Sequence, residues 1–504
     1  MQSWDTIVVG AGSSGCALAA RLTEDPRRRV LLLEAGPDHR AGALPTDLRF
    51  LWRGCDAPHE WGETATTFDG RVVPYLRGRC VGGSSQTNGG VALRPEPRDF
   101  ATWPPGWGWE DVLRGFRRLE RDLDFPDAPW HGNAGPIPVV RYPRERWAPF
   151  MDAFADACAS LGIGWCQDHN EPGTTGVGPI PTNRDGLVRV SCNVAYLEPA
   201  RARANLAVRG DAAVARVVLD GARATGVELA SGERIAADEV VLAAGVLRSP
   251  VLLWHSGIGP ADALRALGID VALDHREVGA HLSDHSVLVT RAPIATAAAR
   301  GERGEPALQC LLRATADGSD RPNDLQLTPS VARRDDGGYD LVVHSSLQLP
   351  EGTGRVRARS AKPGDPVDID FAFGAHAGNV ERLRKGWQLA ARLVRATGLA
   401  LDASPLDRFL DAPDAEIDAR AAAEHGAFYH GVGTCRMGDA DDARRVVDTD
   451  CRVVGAEGLR VVDASIAPTV PRTNTNLLAI AIAELAAEKM ARGQGAGGSP
   501  AAMR

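Results

Sequence analysis

The run Gly10-Ala11-Gly12-Ser13-Ser14-Gly15 places three glycines and two hydroxyls within six positions. Such a turn lets backbone N–H groups come close to an anion, and a pyrophosphate can rest on the start of a helix that follows it. Glu34 supplies the complement. A carboxylate ending the next apolar run can accept hydrogen bonds from ribose hydroxyls, and it disfavours a 2′-phosphate. A second constellation lies near the other end of the chain. His430 stands in Tyr429-His430-Gly431-Val432-Gly433, and Asn474 in Pro471-Arg472-Thr473-Asn474-Thr475-Asn476. A histidine, with an unperturbed pKa of ~6.5, can exchange protons near neutrality. An asparagine can hydrogen-bond an oxygen without titrating. Spacing alone does not bring these two together.

The glycine turn has the flanks its chemistry needs. Ile7-Val8-Val9 before it is β-branched, residues 16–23 after it read as a helix kept close by Ala19, and Val30-Leu31-Leu32-Leu33 is a second buried strand. That is a βαβ unit whose strands are apolar throughout, as a sheet covered on both faces requires. Further strands are expected at 206–208, 214–219, 224–229 and 240–243, with Asp220-Gly221 as a hairpin turn. Residues 95–190 carry many Pro and Trp and read as a long excursion with a helix at 109–121, one that would cover the site. Residues 286–429 read as a distinct stretch, with strands at 341–347, 355–358 and 367–371 and a strong helix at 380–397. The chain then returns through short strands at 446–447 and 459–462 to a last helix at 476–489. A Gly/Ser/Ala-rich tail, 492–504, is expected to be disordered.

Composition excludes several classes. The formal charge of −8 offers no general attraction to nucleic acid. No apolar run reaches the ~18 residues of a membrane span; Leu477 to Ala483 comes nearest, and Glu484 ends it. The opening Met1-Gln2-Ser3-Trp4-Asp5 has neither basic nor apolar signal regions, so no secretory signal is expected and the cytoplasm is the default. The nine cysteines lack zinc or disulfide spacing and read as small buried hydrophobes. No metal site is expected.

Four further segments, in order, resemble the glucose–methanol–choline (GMC) oxidoreductase family: 77–90, 245–259, 429–438 and 462–476. With the first turn they span almost the whole chain. The resemblance implies an α/β (α+β) fold, with a Rossmann-type FAD-binding domain (1–285 with 430–504) and a discontinuous substrate domain (286–429). The latter would be built on an antiparallel sheet with flanking helices. It assigns cofactor contact to Gly10, Gly12, Ser13, Ser14, Gly15, Glu34 and Ala35 in the first unit. It adds Val81, Gly83, Ser84, Asn88, Gly89, Gly90 and Val91 in the second glycine-rich loop, then Val214, Ala244, Tyr429, Ala464 and Asn476. His430 and Asn474 are implied to meet as the catalytic pair at the flavin N5. Thr87 stands where some relatives attach the flavin through a histidine, so non-covalent FAD is expected.

The function implied is oxidation of a small-molecule alcohol to the aldehyde or ketone, with proton abstraction by His430, hydride transfer to flavin N5 and reoxidation by O2 or another acceptor. A hydroxynitrile lyase with a redox-idle flavin is the alternative on the same scaffold, and an NAD dehydrogenase the alternative at fold level. His344, His376 and His425 have no comparable setting and are expected to be structural or exposed. Residues 349–356 lack the Ser-Arg-Gly usual before this strand in the family.

Overall fold

Ile7, Val8 and Val9 lose essentially all contact with water because strands flank them on both sides and helices cover both faces. The computed structural model describes residues 4–51, 57–299 and 307–495. In it β1 (Trp4–Val9) pairs in parallel with β2 (Val30–Leu33), Val9 lying beside Leu33. The parallel order continues through Leu206–Arg209 outside β2, and through Arg234–Leu242 and then Leu459–Val461 on the other side of β1. Helix α1 (Ser13–Leu22) begins directly after Gly12. The front half of Arg234–Leu242 leaves the parallel sheet to form the expected meander with Val214–Asp220 and Arg223–Leu229.

The second major sheet is antiparallel and six-stranded. Its order is Gly426–Ala427, Ser286–Ile294, Tyr339–Leu347, Leu325–Arg333, Cys310–Ala314, Gly176–Pro179. Helix Ala377–Ala396 lies on its back, with Ser345 Oγ donating to the Gly386 carbonyl. Of these six strands only Tyr339–Leu347 was expected from the sequence. Leu325–Arg333 holds Pro329, which ordinarily excludes a central strand. Here Cys310–Ala314 pairs only as far as Leu327, so Pro329 has a partner strand on one side alone.

The sheets cut across the chain. Arg355–Ala358 and Val367–Phe371 join Thr64–Thr67 and Val72–Pro74 in a separate four-stranded sheet. Gly176–Pro179 leaves the 95–190 excursion to edge the antiparallel sheet. The expected strand at 446–447 is instead a pair of fully buried valines, with only isolated bridges from Val447 to Met437 and Val453. Burial, not pairing, accounts for their apolar character. The last helix runs Asn476–Gly495, so 492–495 is helical, while the tail expectation for 496–504 lies outside the described residues. Among the described residues no helix is long and apolar enough to cross a membrane, and the eight described cysteines are all buried.

The excursion is held by a buried ion network. Glu120, Asp122 and His131 group their ligand atoms within 4.8 Å, an arrangement that could hold a cation. Those atoms are already engaged. Arg94 stands 3.4 Å from Glu120, Arg141 stands 2.9 Å from Asp122 and 2.6 Å from Asp168, and His131 Nε2 lies 2.9 Å from Asp168. Three buried carboxylates, and the part-exposed Asp124 at 3.3 Å from Arg141, face two guanidiniums and an imidazole, so a second proton on His131 brings the group nearer to balance. Burial lowers the His131 pKa, but hydrogen bonds to Asp168 and Glu120 outweigh it and hold the ring above its ordinary value. Against the burial cost, His131 and Arg141 hold Asp168 well below the usual carboxylate range.

His131→Gln should therefore destabilise the protein by ~3–5 kcal/mol, the usual cost of breaking a buried ion pair. The sign of its pH dependence follows from the raised pKa. The contribution is complete below ~6.5 and fades as pH rises through the folded-state value. Thermal midpoints of both proteins at pH 6 and pH 9 should show the gap narrowing at the higher pH.

Candidate active site

The first turn divides its three glycines between packing and openness. A Cβ on Gly10, where φ is +98°, would lie 2.6 Å from the Ala243 carbonyl, and one on Gly15 would lie 1.9 Å from the Gly10 carbonyl. Gly12 faces nothing within 4 Å, which leaves the turn open toward the cavity. Glu34 braces the turn, accepting the N–H groups of Ala11 and Gly36 at 2.9 Å each. Burial pushes its carboxyl up to about 7, against the lowering effect of those N–H groups.

The last helix meets α1 at this point. Ser13 Oγ donates to Asn476 Oδ1 and Ser14 Oγ to the Ala479 carbonyl, both at 2.8 Å. Two helix N-termini thus open onto one cavity, each presenting the positive end of its dipole. Asp463 closes the wall beside them, accepting from the Gly245 N–H (2.9 Å) and Ser249 Oγ (2.5 Å).

The cavity, ≈ 910 Å³, runs from this turn to His430. Of the residues singled out in the sequence, Gly10, Gly12, Ser13, Ser14, Glu34 and Ala35 line one end. Gly83, Ser84, Asn88, Gly89, Val91, Val214, Ala244 and Ala464 line its length, Asn476 lines it beside Ser13, and Tyr429, His430 and Asn474 line the other end. Three do not reach it. Gly15 packs against Gly10, Val81 is buried in the core, and a Cβ on Gly90 would collide with Leu51 at 2.5 Å. These hold the wall from behind.

At the far end His430 is fixed from three sides. Tyr429 before it has φ +66°, a left-handed conformation rare outside glycine, and Arg77 Nη1 donates to its carbonyl at 2.7 Å. Asp284, buried, accepts the His430 N–H at 2.7 Å and the Tyr75 hydroxyl at 2.5 Å. Burial pushes the Asp284 carboxyl up to about 6, against the lowering pull of Arg77 and the Tyr75 hydrogen bond.

The ring of His430 meets a second histidine, His285, Nδ1 to Nδ1 at 2.9 Å, and Asn474 Nδ2 lies 2.9 Å from His430 Nε2. The tautomers follow from one carbonyl. His285 Nε2 stands 2.8 Å from the Pro471 oxygen, which can only accept, so His285 carries its proton on Nε2. Its Nδ1 lone pair then accepts from His430 Nδ1–H. His430 Nε2 is left as a lone pair, facing the amide of Asn474. Burial pushes His285 down to about 4, and burial, with His285 and Arg77, holds His430 well below its ordinary value. Both rings are neutral near neutral pH.

Sequence reasoning missed Asp284 and His285, which no local pattern distinguishes from the start of a strand. It also missed the wall contributed by the antiparallel sheet: Gln326, Thr328 and His344 line the cavity. His344, expected to be structural or exposed, is half-buried on that wall because it sits on the sheet face turned away from helix Ala377–Ala396. His425 does pack structurally, its ring 5.1 Å from that of Phe373.

The glycine cradle, the paired helix N-termini, the carboxylate ending β2 and the cavity length together fit an adenine dinucleotide with its redox end at His430. Comparison with known proteins agrees. Two models of the family described as GMC oxidoreductase match residues 4–287 and 350–483. The chain is 34% identical to 5-(hydroxymethyl)furfural oxidase of Methylovorus sp. (strain MP688), over 96% of this chain and 98% of that protein. It is 33% identical to an oxygen-dependent choline dehydrogenase of Sinorhizobium fredii (strain NBRC 101917 / NGR234), over 96% and 95%. The crystal structure of pyridoxine 4-oxidase from Mesorbium loti superposes with a TM-score of 0.84 at 30% identity, over 97% of this chain and 99% of that one. With both family models matched across most of its length, the chain belongs to the GMC oxidoreductase family and is an FAD-dependent oxidoreductase acting on CH–OH groups.

Proposed function

We propose that this protein oxidises a small-molecule alcohol to the aldehyde or ketone, with His430 as the base. The observation that carries the reading is the neutral histidine pair, which leaves a lone pair on His430 Nε2 beside the Asn474 amide. Bound FAD supplies the acceptor for the carbinol hydride and hands the electrons to oxygen or another acceptor. The residues of the chain manage the proton. A substrate hydroxyl that takes the place of the Asn474–His430 hydrogen bond would donate to Nε2 and accept from the freed Asn474 amide, so its oxygen stays hydrogen-bonded as its proton leaves. His430 keeps its Nδ1 proton in the hydrogen bond that His285 Nδ1 accepts. Glu34 and the Gly12 face would hold the nucleotide end. Relatives named as oxidases support oxygen as the final acceptor.

Thr87 lines the cavity and offers no group for attaching the flavin. Acid or heat should release intact FAD from the yellow protein, leaving a colourless precipitate; flavin retained on the polypeptide would contradict this.

Anaerobic stopped-flow reduction by an alcohol tests the proton step and separates it from hydroxynitrile cleavage, which leaves the flavin oxidised. His430→Ala should retain FAD and slow reduction by ~10²–10⁴-fold, the usual contribution of a positioned acid–base group. A variant that reduced its flavin at the wild-type rate would end the proposal.

His285→Phe removes the acceptor that sets the His430 tautomer. It should lower kcat by about tenfold, the equivalent of one hydrogen bond, with KM nearly unchanged. In the wild type, reduction should stay constant above pH ~6.5 and decline only on acidification well below it, because the depressed His430 pKa keeps the base unprotonated.

A further inference from the structure

The antiparallel sheet turns two unlike faces to its surroundings. Residues directly paired across antiparallel strands point the same way, and neighbours along a strand point opposite ways. Ser345 bonds to helix Ala377–Ala396, so His344 and Ser346 point to the other side. Their partners on Leu325–Arg333 are Thr328 and Gln326, which therefore share that face. It is the face that lines the cavity. Its register also fixes the distance from the chemistry. His285 immediately precedes Ser286, which pairs with Leu347, itself paired with Leu325. Gln326 is one row in from that end, and the Thr328–His344 row lies about 7 Å deeper, at ~3.4 Å per residue.

This face is polar where an alcohol-binding wall has no need to be. Gln326 is 3% exposed, and its Oε1 has no hydrogen-bond partner. A buried polar group left unpaired costs ~1–3 kcal/mol, so an orphan amide on a cavity wall signals a missing ligand group. Ser346 is not part of the vacancy, since its hydroxyl donates to the Gln326 carbonyl and accepts from Gln348 Nε2. Beside Gln326 stand a Thr328 hydroxyl and a His344 ring that burial and Arg291 keep neutral, against a raising hydrogen bond to the Thr328 backbone. The wall therefore offers donors and acceptors without charge. The four carboxylates that line the cavity are engaged elsewhere: Glu34 and Asp463 by backbone N–H groups, Glu60 by the Arg77 N–H, and Glu63 by Arg248.

We infer that Gln326, with Thr328 and His344, forms a specificity subsite that hydrogen-bonds a neutral polar group of the substrate distal to the reacting carbinol. The substrate class is then an alcohol bearing, away from its carbinol, a neutral hydrogen-bonding group such as a ring heteroatom, hydroxyl or carbonyl, for which polar aryl alcohols serve as probes. Plain hydrocarbon alcohols leave the amide unpaired, and quaternary ammonium alcohols meet no anion on this face. The inference rests on the alcohol-oxidation reading above.

The test uses the FAD-loaded enzyme with benzyl alcohol, 3-hydroxybenzyl alcohol, 3-pyridylmethanol and choline, reading anaerobic flavin reduction and kcat/KM. The wild type should prefer the two polar aryl alcohols over benzyl alcohol and choline. Gln326→Leu, close in volume, should cut that preference, read as the ratio of kcat/KM for the polar aryl alcohols to that for benzyl alcohol, about tenfold. Thr328→Val, which retains the strand propensity, provides a second arm should the first variant fail to load FAD, and a smaller loss of preference is expected from it. Bleaching by all four alcohols with ratios unmoved in either variant overturns the subsite while leaving alcohol oxidation intact, as does a wild-type preference for choline. No bleaching by any of them overturns both readings together.

Discussion

Glu484 has no solvent-exposed surface, yet it carries a charge that must be balanced within the protein. Arg21 of α1 stands 2.9 Å from one of its oxygens, and the Tyr196 hydroxyl donates to the same oxygen at 2.6 Å. This contact binds the first helix to the last, and the site depends on it. Because the two helices run side by side, Ser13 and Ser14 reach Asn476 and Ala479, and both N-termini open onto one cavity. The segment just before the last helix is thereby placed too. It carries Asn474, and it carries the Pro471 carbonyl that orients His285. Leaving either charge unpaired in the interior would cost several kcal/mol, so the pair specifies a geometry at least as much as it adds stability.

The chemical end is built from neutral groups held by charged ones. Asp284 is an acid fixed under the backbone of His430, and Arg77 grips the carbonyl of Tyr429. Neither touches the reacting face. The two imidazoles between them are stripped of water, which removes their second protons and leaves His430 Nε2 a lone pair that accepts from the Asn474 amide. A depressed pKa makes His430 a weaker base than a free imidazole, but one that is unprotonated across the neutral range and pre-aligned. In the mechanism proposed above, alignment of this kind is worth more than basicity.

The antiparallel sheet shows the usual exchange between function and stability. Its back is bound to Ala377–Ala396, where Trp387 packs 4.2 Å from Phe409. Its front keeps Gln326, Thr328 and His344 in a cavity where leucines would have been more favourable. The excursion closes one edge of this sheet through Gly176–Pro179, and its ion network makes that edge rigid.

The local features of the chain were legible from its sequence, and for a common reason: they are set by near neighbours. The Gly10–Gly15 turn, β1, α1, β2 and Glu34 form a contiguous unit, and its hydrophobic pattern and glycine spacing are the direct imprint of its packing. The helices expected at 109–121, 380–397 and 476–489 correspond to Trp109–Leu119, Ala377–Ala396 and Asn476–Gly495, the last running on into the expected tail. Even so, His430 and Asn474 could be paired only by family resemblance. Asn474 meets His430 across 44 positions, and His285 and Asp284 meet it across 145 and 146. Such contacts leave no local period. Strand Leu325–Arg333 hid behind its proline because the freedom of one edge at Pro329 depends on where a different strand stops. The amino-acid order determined the elements and the nucleotide turn. The protonation pattern at the base and the polarity of the substrate wall were decided by tertiary structure, since burial and pairing, which set both, exist only once distant segments meet.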